Sequence, residues 1–294
     1  MPLLLTLRLL LSVFGCIALF GCESKKSNLL NEDLGLVYED FRQACQEGDI
    51  GSFRKSSSKF TFIDSKNIAL SIGVDLEQFL QRFSPMVPQL DGMEELALKQ
   101  NGETAKLVFF GIPQGVKEIA GAQIVPSYHV IDFLREDGKW KVHEVGGYLP
   151  AEIKGGDEAV VSGDHSAVLS NGFFSPTGVI PLVPKEVVGV ELQGRLEFES
   201  YGFQTRVWIN GHDQNSRRMI KDETGGGPVI GGLKSGKNTI RIEVAGIEDA
   251  SVLGKSFQNY RISLMRVDGN QALEVFTYKP EGLPSNQEIS FVVE

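Results

Sequence analysis

The hydrophobic period of the chain changes near residue 85, and this change limits the fold more than any other feature. Before it, apolar residues recur every three or four positions, which is the period of one face of an α-helix. After it, short runs of alternating apolar and polar residues are typical of strands. Helices followed by antiparallel strands predict an α+β fold in which the helices cover one face of the sheet.

Three helices are predicted before this change. The first covers about residues 31–47, and Gly48 followed by Asp49 separates it from a short second helix. A third helix begins after Asp75 and stops at Pro85, which cannot continue a helix. The apolar face of the first helix consists of Leu34, Val37, Phe41 and Ala44.

Two hairpins are predicted after the change, because Asn101-Gly102 and Asp137-Gly138 are residue pairs that tight hairpin turns favour. Their strands are 94–100, 104–110, 128–136 and 139–145. The first helix, the break at Gly48-Asp49, the short second helix and the hairpin sequence FLREDGKWKV resemble the NTF2-like superfamily over residues 31–150. The resemblance implies a cone-shaped α+β domain whose curved sheet and helices can enclose a pocket.

Glycine and proline punctuate residues 151–186, which we predict to be a linker with a short strand at 159–161. Residues 187–294 hold about seven short β-rich runs separated by turn residues, and this pattern predicts a β-sandwich. Within it, residues 206–212 read RVWINGH and residues 232–244 read GLKSGKNTIRIEV. These two segments are similar to galactose-binding-like jelly rolls. The resemblance implies a sandwich rather than a barrel and suggests carbohydrate as a ligand.

The N-terminus has the pattern of an export signal. Arg8 precedes an apolar run from Leu9 to Phe20, and small Gly21 follows, so residues 1–21 are predicted to be a signal peptide. The apolar run is shorter than the roughly 20 residues that a membrane-spanning helix needs. An ordinary secretory signal that is cut near Ala18 remains an alternative to the lipoprotein signal described next.

Leu19-Phe20-Gly21-Cys22 resembles the lipobox of bacterial lipoproteins. The resemblance implies a diacylglycerol on Cys22, a lipidated polar tether over residues 22–30, and a location in the cell envelope, facing the periplasm or the exterior. A membrane contacted through this lipid is therefore the expected partner, and an envelope protein or a glycan is a further one.

The cysteine count and the net charge argue against internal disulfides and against nucleic acid as a partner. With Cys16 in the signal and Cys22 acylated, Cys45 is the remaining thiol, so no internal disulfide is expected and the fold rests on its core. Cys45 is expected to be buried and inert in the first helix. The formal net charge is −9, and it becomes −10 when Arg8 leaves with the signal. An acidic chain without a basic stripe is not expected to bind nucleic acid.

The catalytic candidates are Asp132 and His143. A two-residue turn at 137–138 puts Glu136 opposite Lys139 and Asp132 opposite His143, where the carboxylate could orient the imidazole for general-base catalysis. The alternation places these two polar residues on the face away from the apolar residues, so a surface ion pair is the favoured interpretation. A shift of one residue in the register would exchange the faces.

No metal site and no cofactor are predicted, because the four histidines form no closely spaced pair. A cation in the linker is a weaker alternative to solvated loop residues, and its ligands would be Asp157, Glu158, Asp164 and His165. The glycine-rich segment 225–228 is predicted to be a flexible loop rather than a phosphate-binding loop.

Aromatic residues of the C-terminal domain could stack on a sugar, although on a sandwich strand such residues are usually core. The candidates are Tyr201, Phe203, Trp208, His212 and Tyr260. A core position is the favoured interpretation for Trp208. The hypothesis for the whole chain is a non-catalytic binding or scaffolding module of the envelope. The alternatives are a small-molecule enzyme that uses an NTF2-like pocket with Asp132 and His143, and glycan binding by the sandwich.

Overall fold

The computed structural model describes residues 30–114, 125–215, 220–246 and 260–294. They form two compact units. The first takes its described residues from Met1–Ser58 and Ser84–Ile180, and the second from Lys59–Phe83 and Pro181–Glu294. The predicted order of helices followed by antiparallel sheets is confirmed.

The first unit begins with two helices, α1 over residues 30–47 and α2 over Ile50–Ser56. The break between them lies where it was predicted. Gly48 has a φ of +69°, and the Asp49 carboxylate accepts hydrogen bonds from the backbone N–H groups of the first turn of α2. One face of α1 is buried, and its side chains include Leu34, Tyr38, Phe41 and Cys45. The helices are therefore held by an apolar stripe that recurs every three or four residues.

A four-stranded antiparallel sheet follows, in the order β1-β2-β3-β4. Its strands are β1 (Glu94–Asn101), β2 (Thr104–Gly111), β3 (Ser127–Glu136) and β4 (Lys139–Tyr148). Both predicted hairpins are confirmed. Asp137 and Gly138 have φ values of +51° and +77°, which a tight turn of the mirror-image type requires, and Glu136 pairs with Lys139.

The short strand predicted at 159–161 was wrong for the segment after β4. This segment forms α5 (Gly156–Ser162), α6 (Ser166–Leu169) and two short 3-10 helices, Pro150–Glu152 and Gly172–Phe174. Ala159 and Phe174 are buried against one face of the sheet. Glycines at both ends of α5 adopt positive φ, so they delimit a helix here instead of marking a loop.

The second unit contains two helices, α3 (Lys59–Ser71) and α4 (Leu76–Phe83). The sequence analysis had predicted α4 but not α3, and had assigned this part of the chain to the first domain. Asn67, which is buried in α3, donates to the carbonyl of Lys185 at 2.9 Å and accepts from the N–H of Val187 at 2.8 Å. Ser71 Oγ accepts from the N–H of Gly231 at 3.0 Å. These bonds tie α3 to the C-terminal part of the chain.

Seven antiparallel strands complete the second unit. They are β5 (Gly194–Ile209), β6 (His212–Asp213), β7 (Ile220–Pro228), β8 (Gly236–Gly246), β9 (Tyr260–Asp268), β10 (Gln271–Tyr278) and β11 (Gln287–Val293). They form one sheet in the order β10-β9-β5-β8-β11, and β6 and β7 also pair with β5.

This sheet curls because β5 changes partners along its length. Its first half pairs with β9 and its second half with β8, and Gly202, with a φ of +78°, lies between the two halves. The end strands approach each other, since the rings of Phe276 on β10 and Phe291 on β11 lie 4.9 Å apart. The curl encloses an apolar core that includes Val207, Ile209 and Ile262.

Candidate functional site

A cleft of about 620 Å³ in the first unit lies between α1, α2 and the turn of the β3–β4 hairpin. We call it the helix–hairpin cleft. Its lining residues are Asp33, Leu36, Val37, Asp40, Gln43, Ala44, Glu47, Ser52, Lys55, Ser56, Gly138, Lys139, Trp140 and Lys141. The volume is within the range that small-molecule sites occupy.

One wall of the cleft carries three carboxylates. Asp33, Asp40 and Glu47 are exposed and lie seven residues apart along α1. Seven residues are close to two helical turns, so the three carboxylates share one side of the helix and extend over about 21 Å. The three carboxylates form an acidic row along the side of α1 that lines the cleft.

Three ammonium groups also line the cleft, those of Lys55 on α2 and of Lys139 and Lys141 on β4. The turn at 137–138 brings the two β4 lysines to this position, since it reverses the chain within two residues. Partial burial lowers the pKa of Lys141 from its ordinary value, and the nearby Glu136 carboxylate opposes this effect. The negative charges of the cleft therefore come from α1, and its positive charges come from α2 and β4.

The cleft also has an apolar lining. Leu36 is 68% exposed, and Val37, Ala44 and the half-buried Trp140 also line the cleft. The guanidinium of Arg135 lies 5.8 Å from the centre of the Trp140 ring, and Arg135 Nε donates to the carbonyl of Gly138 at 3.3 Å. Arg135 thus holds the indole in place. A ligand with an apolar side and charges of both signs would meet complementary groups on every surface.

The hydroxyls of the cleft are already engaged within the protein. Ser52 Oγ donates to Asp49 Oδ2 at 2.6 Å, and Ser56 Oγ donates to the carbonyl of Ser52 at 2.9 Å. The described lining residues include no histidine and no cysteine. Ser56 donates to a carbonyl, and the hydrogen bond from Ser52 lowers the pKa of the Asp49 carboxyl, which makes that carboxylate a weak base for activating a nucleophile. The arrangement suits binding better than covalent chemistry.

Asp132 and His143, the catalytic candidates from the sequence, are not brought together. A β-bulge in β4 makes His143 an extra residue, so Asp132 pairs with Glu144 instead. Beside the bulge, Ser57 pairs with Val142 and the N–H of Ser58 donates to the carbonyl of Val142 at 2.8 Å. The predicted register holds from the turn only as far as this bulge.

The two residues have separate environments. His143 Nδ1 lies 3.3 Å from Ser58 Oγ, whereas Asp132 Oδ1 lies 3.1 Å from Lys106 Nζ. Burial raises the pKa of Asp132 to about 6, and Lys106 partly opposes the rise. Lys106 Nζ also donates to the carbonyl of Phe173 at 3.1 Å, so one ammonium group lies within reach of both the Asp132 carboxylate and this carbonyl. The favoured interpretation, a surface pair with His143, was wrong: the partner is Lys106 and the pair is largely buried.

The residues considered for a cation do not gather around one. His165 is buried, and its Nδ1 lies 2.8 Å from the hydroxyl of Tyr128. Asp164 Oδ1 accepts from the N–H of Ser166 at the start of α6. Among the described residues, no group of three acidic, histidine or cysteine side chains could hold a metal ion. Cys45 is buried as expected, and burial raises the pKa of its thiol to about 12.

Two predictions for the second unit were wrong. Residues 225–228 belong to strand β7, paired with β5, and do not form a flexible loop. Trp208 is half-buried on the outer side of the curled sheet, because its neighbours Val207 and Ile209 point into the core. The guanidinium of Arg241 lies 3.9 Å from the Trp208 ring centre. Alternation along β5 places Trp208 on the side opposite to Val207 and Ile209. Only the burial of those two residues shows which side is the core.

The other aromatic candidates divide between the core and the surface. Phe203 and Tyr260 are buried, so they cannot contact a ligand in this structure. Tyr201 is 38% exposed, and His212 is half-buried, with a pKa that burial lowers. A pocket of about 310 Å³ adjoins Trp208, and its other lining residues are Gly211, Thr239, Arg241 and Glu288.

Sequence analysis did not identify the helix–hairpin cleft. The seven-residue spacing of Asp33, Asp40 and Glu47, next to exposed Leu36, indicates that these residues share one side of the helix. Whether that side lines a cleft depends on the elements that pack beside the helix. The lipobox and Cys22 lie outside the described residues. No described helix combines the length and the apolarity that crossing a membrane would take. Comparisons of this chain with protein-family profiles, with curated proteins and with solved structures find no match.

Proposed function

We propose that this chain is an exported lipoprotein of the cell envelope, tethered to a membrane by a lipid on Cys22. In this proposal the first unit is an NTF2-like domain that binds a ligand in the helix–hairpin cleft without transforming it. The second unit is a jelly-roll-type sandwich that serves as a scaffold. The observation that carries the proposal is the cleft itself, which is lined by carboxylates from α1, by ammonium groups from α2 and β4, and by Trp140.

The contacts and the exposure of the polar side chains in the cleft favour binding without catalysis. The cleft serines donate to acceptors of their own helix region, and the carboxylates of α1 are exposed rather than held in an apolar setting that would tune a general acid. An enzyme built on Asp132 and His143 has less support, because Asp132 contacts Lys106 and His143 contacts Ser58.

The test is site-specific photocrosslinking in intact cells. A photoreactive residue replaces Leu36, which lines the cleft and is 68% exposed, and a control replaces Met86, which belongs to the same unit, is 72% exposed and does not line the cleft. We expect a defined adduct from position 36 and none from position 86. The same adducts from both positions, or no adduct from position 36 across growth conditions, would contradict ligand binding in the cleft.

Glycan binding by the second unit is a second candidate, favoured by the pocket beside Trp208. Trp208, Arg241 and Glu288 offer an aromatic ring, a donor and an acceptor within one site, which suits a sugar with apolar and hydroxyl-bearing edges. We expect a glycan array to show binding that Glu288→Ala abolishes. Binding that Glu288→Ala leaves unchanged, or no binding at all, would remove this candidate.

A further inference from the structure

The helix–hairpin cleft lies along the free edge of strand β4. This strand is at the end of the four-stranded sheet, and among the described strands its single neighbour is β3. Four consecutive residues, 138–141, line the cleft. Because successive side chains of a strand point to opposite faces, a cavity on one face meets alternate residues, whereas a cavity at the edge meets consecutive ones. The end of α2 lies on the same edge, since Ser57 pairs with Val142.

The turn of the hairpin fixes which backbone groups of β4 point to this edge. In a two-residue turn of the mirror-image type, the residues on either side exchange two hydrogen bonds, and here they are Glu136 and Lys139. Hydrogen-bonded and non-hydrogen-bonded pairs then alternate along an antiparallel ladder. Trp140, which pairs with Arg135, is therefore a non-hydrogen-bonded position, and its N–H and C=O point away from β3.

The contact of Val142 agrees with this alternation. Val142 lies two residues after Trp140, so its backbone groups point to the same edge, and its C=O accepts a hydrogen bond from the N–H of Ser58 at 2.8 Å. Trp140 has no such partner, because nothing in the described part of the chain bonds to its outward N–H or C=O. The cleft therefore contains one unpaired backbone donor and one unpaired backbone acceptor of the same residue.

An extended peptide complements these two groups. Whether it runs parallel or antiparallel to β4, such a peptide presents one N–H and one C=O to Trp140 and forms two hydrogen bonds with it. Residues 138–141 span about 10 Å at the rise of a strand, so about four residues of the peptide fit along this edge. Addition of a strand to an exposed sheet edge is a recurring form of peptide recognition.

The charges of the cleft also suit a peptide. The lining includes three carboxylates and three ammonium groups, so its formal charges cancel. A uniformly charged polymer such as a nucleic acid would be repelled by one of these two sets, whereas a peptide can carry side chains of both signs. The charges therefore favour a peptide over a polyanion or a polycation.

We propose that the helix–hairpin cleft binds an extended peptide segment of a partner protein, which adds to the free edge of β4 at Trp140. This inference rests on the proposed function, since it names the ligand class of the same cleft. In this arrangement the backbone of the partner supplies affinity, and the charged side chains of the cleft select its sequence.

Trp140→Pro tests the backbone donor. Proline has no N–H, and it is tolerated on an edge strand where the N–H points away from the sheet, so the pairing with β3 remains. Trp140→Val is the matched control, because it also removes the indole but keeps the N–H. Thermal unfolding of both variants verifies that they fold.

The probe is a phage-displayed library of random 12-residue peptides, which is selected on the natural protein. We expect the selected peptides to bind Trp140→Pro about tenfold more weakly than Trp140→Val, because the proline variant lacks one hydrogen bond to the ligand. Equal affinities for the two variants, or a selection that enriches no peptide, would overturn the proposal.

Methylation of the peptide gives a second measurement that needs no protein variant. Each backbone nitrogen of the tightest peptide is methylated in turn. We expect a loss of about tenfold at the one residue whose N–H donates to the Trp140 C=O, and a smaller loss at its two neighbours, whose N–H groups point away. A peptide that binds as a helix would lose affinity at several consecutive positions, and that result would also overturn the proposal.

The outcome is separable from that of the proposed function. A small molecule or a glycan crosslinked at position 36 would support ligand binding in the cleft while overturning the peptide segment. No crosslink at all would contradict both.

Discussion

Lys106 Nζ lies 3.1 Å from Asp132 Oδ1 across the β2–β3 pair, and their side chains are only 13% and 22% exposed. Burial raises the pKa of Asp132 to about 6, Lys106 lowers it by less than burial raises it, and Glu144 on β4 adds a further rise. The ionised carboxylate therefore destabilises the fold relative to its protonated form, even with a cation beside it.

Unfolding should depend on pH in a direction set by this carboxyl. Its folded-state pKa of about 6 lies above its ordinary value of 3.8, so the folded chain holds this proton more tightly than the unfolded chain. The stabilisation of the fold by the protonated Asp132 carboxyl is fully present below its ordinary pKa of 3.8, and it is lost as the pH rises through about 6. Between pH 4.5 and 7, we expect this group to remove about 2 kcal/mol from the free energy of unfolding.

Asp132→Asn isolates that contribution, because the amide does not titrate. Urea unfolding of both proteins at pH 4.5 and at pH 7 gives the free energy of the natural chain minus that of the variant. We expect this difference to fall by about 2 kcal/mol between the two pH values. A difference that is equal at both would contradict the raised pKa.

Asn67 should contribute much more to stability than its neighbour Lys66. Asn67→Ala removes two hydrogen bonds of a buried side chain and leaves the N–H of Val187 without its acceptor, so we expect a loss of about 2 to 4 kcal/mol. Lys66 pairs with Glu186 at the surface, and Lys66→Ala should cost less than about 1 kcal/mol. Chemical unfolding measures both variants, and equal losses would refute the anchoring role of Asn67.

Trp208 and Ile209 should respond differently to truncation, although they are adjacent. Ile209→Ala opens a cavity in the curled sheet and should cost about 3 kcal/mol, because Ile209 is fully buried. Trp208→Ala removes a half-buried ring that stacks with Arg241 and should cost about 1 kcal/mol. The free energies of unfolding of the two variants decide the matter: the larger loss at position 208 would mean that its side chain is in the core.

Cys22→Ser should release the exported chain from the membrane, since the proposed lipid is attached to this thiol. Fractionation of cells that produce the variant should recover the protein in the aqueous fraction. Cys45→Ala is the matched control, because Cys45 is buried and carries no lipid in this proposal, and it should stay with the membrane. Membrane association of both variants, or an unmodified Cys22 in the mass spectrum of the native N-terminal peptide, would contradict the anchor.

Turn chemistry and hydrophobic period were sufficient to predict several elements. The Asp137-Gly138 turn and the pairing of Glu136 with Lys139 follow from the preference of these two residues for positive φ. The end of α1 follows in the same way from Gly48 and Asp49. Each of these features depends on residues close together in the chain, so no distant contact is needed to specify it.

Elements with polar buried residues could not be found by the same method. Helix α3 buries Thr61, Asp64, Ser65, Asn67 and Ser71, and so it lacks the apolar stripe that marks an amphipathic helix. Its partners at residues 185–187 and 231 are more than 110 positions away in the chain. Such a helix is specified by hydrogen bonds that exist only after distant segments have met.

The amino-acid sequence alone determined where helices give way to strands, which turns join the hairpins, and the separation of polar from apolar sides on α1. The bulge at His143 adjoins the place where Ser57 and Ser58 pair with Val142, a contact that exists only in the tertiary structure. Tertiary structure also decided that Asp132 meets Lys106, and that the carboxylates of α1 line the same cleft as the lysines of β4. Periodicity states which residues share a side of an element, but the contacts of that side depend on the packing of elements that are distant in the sequence.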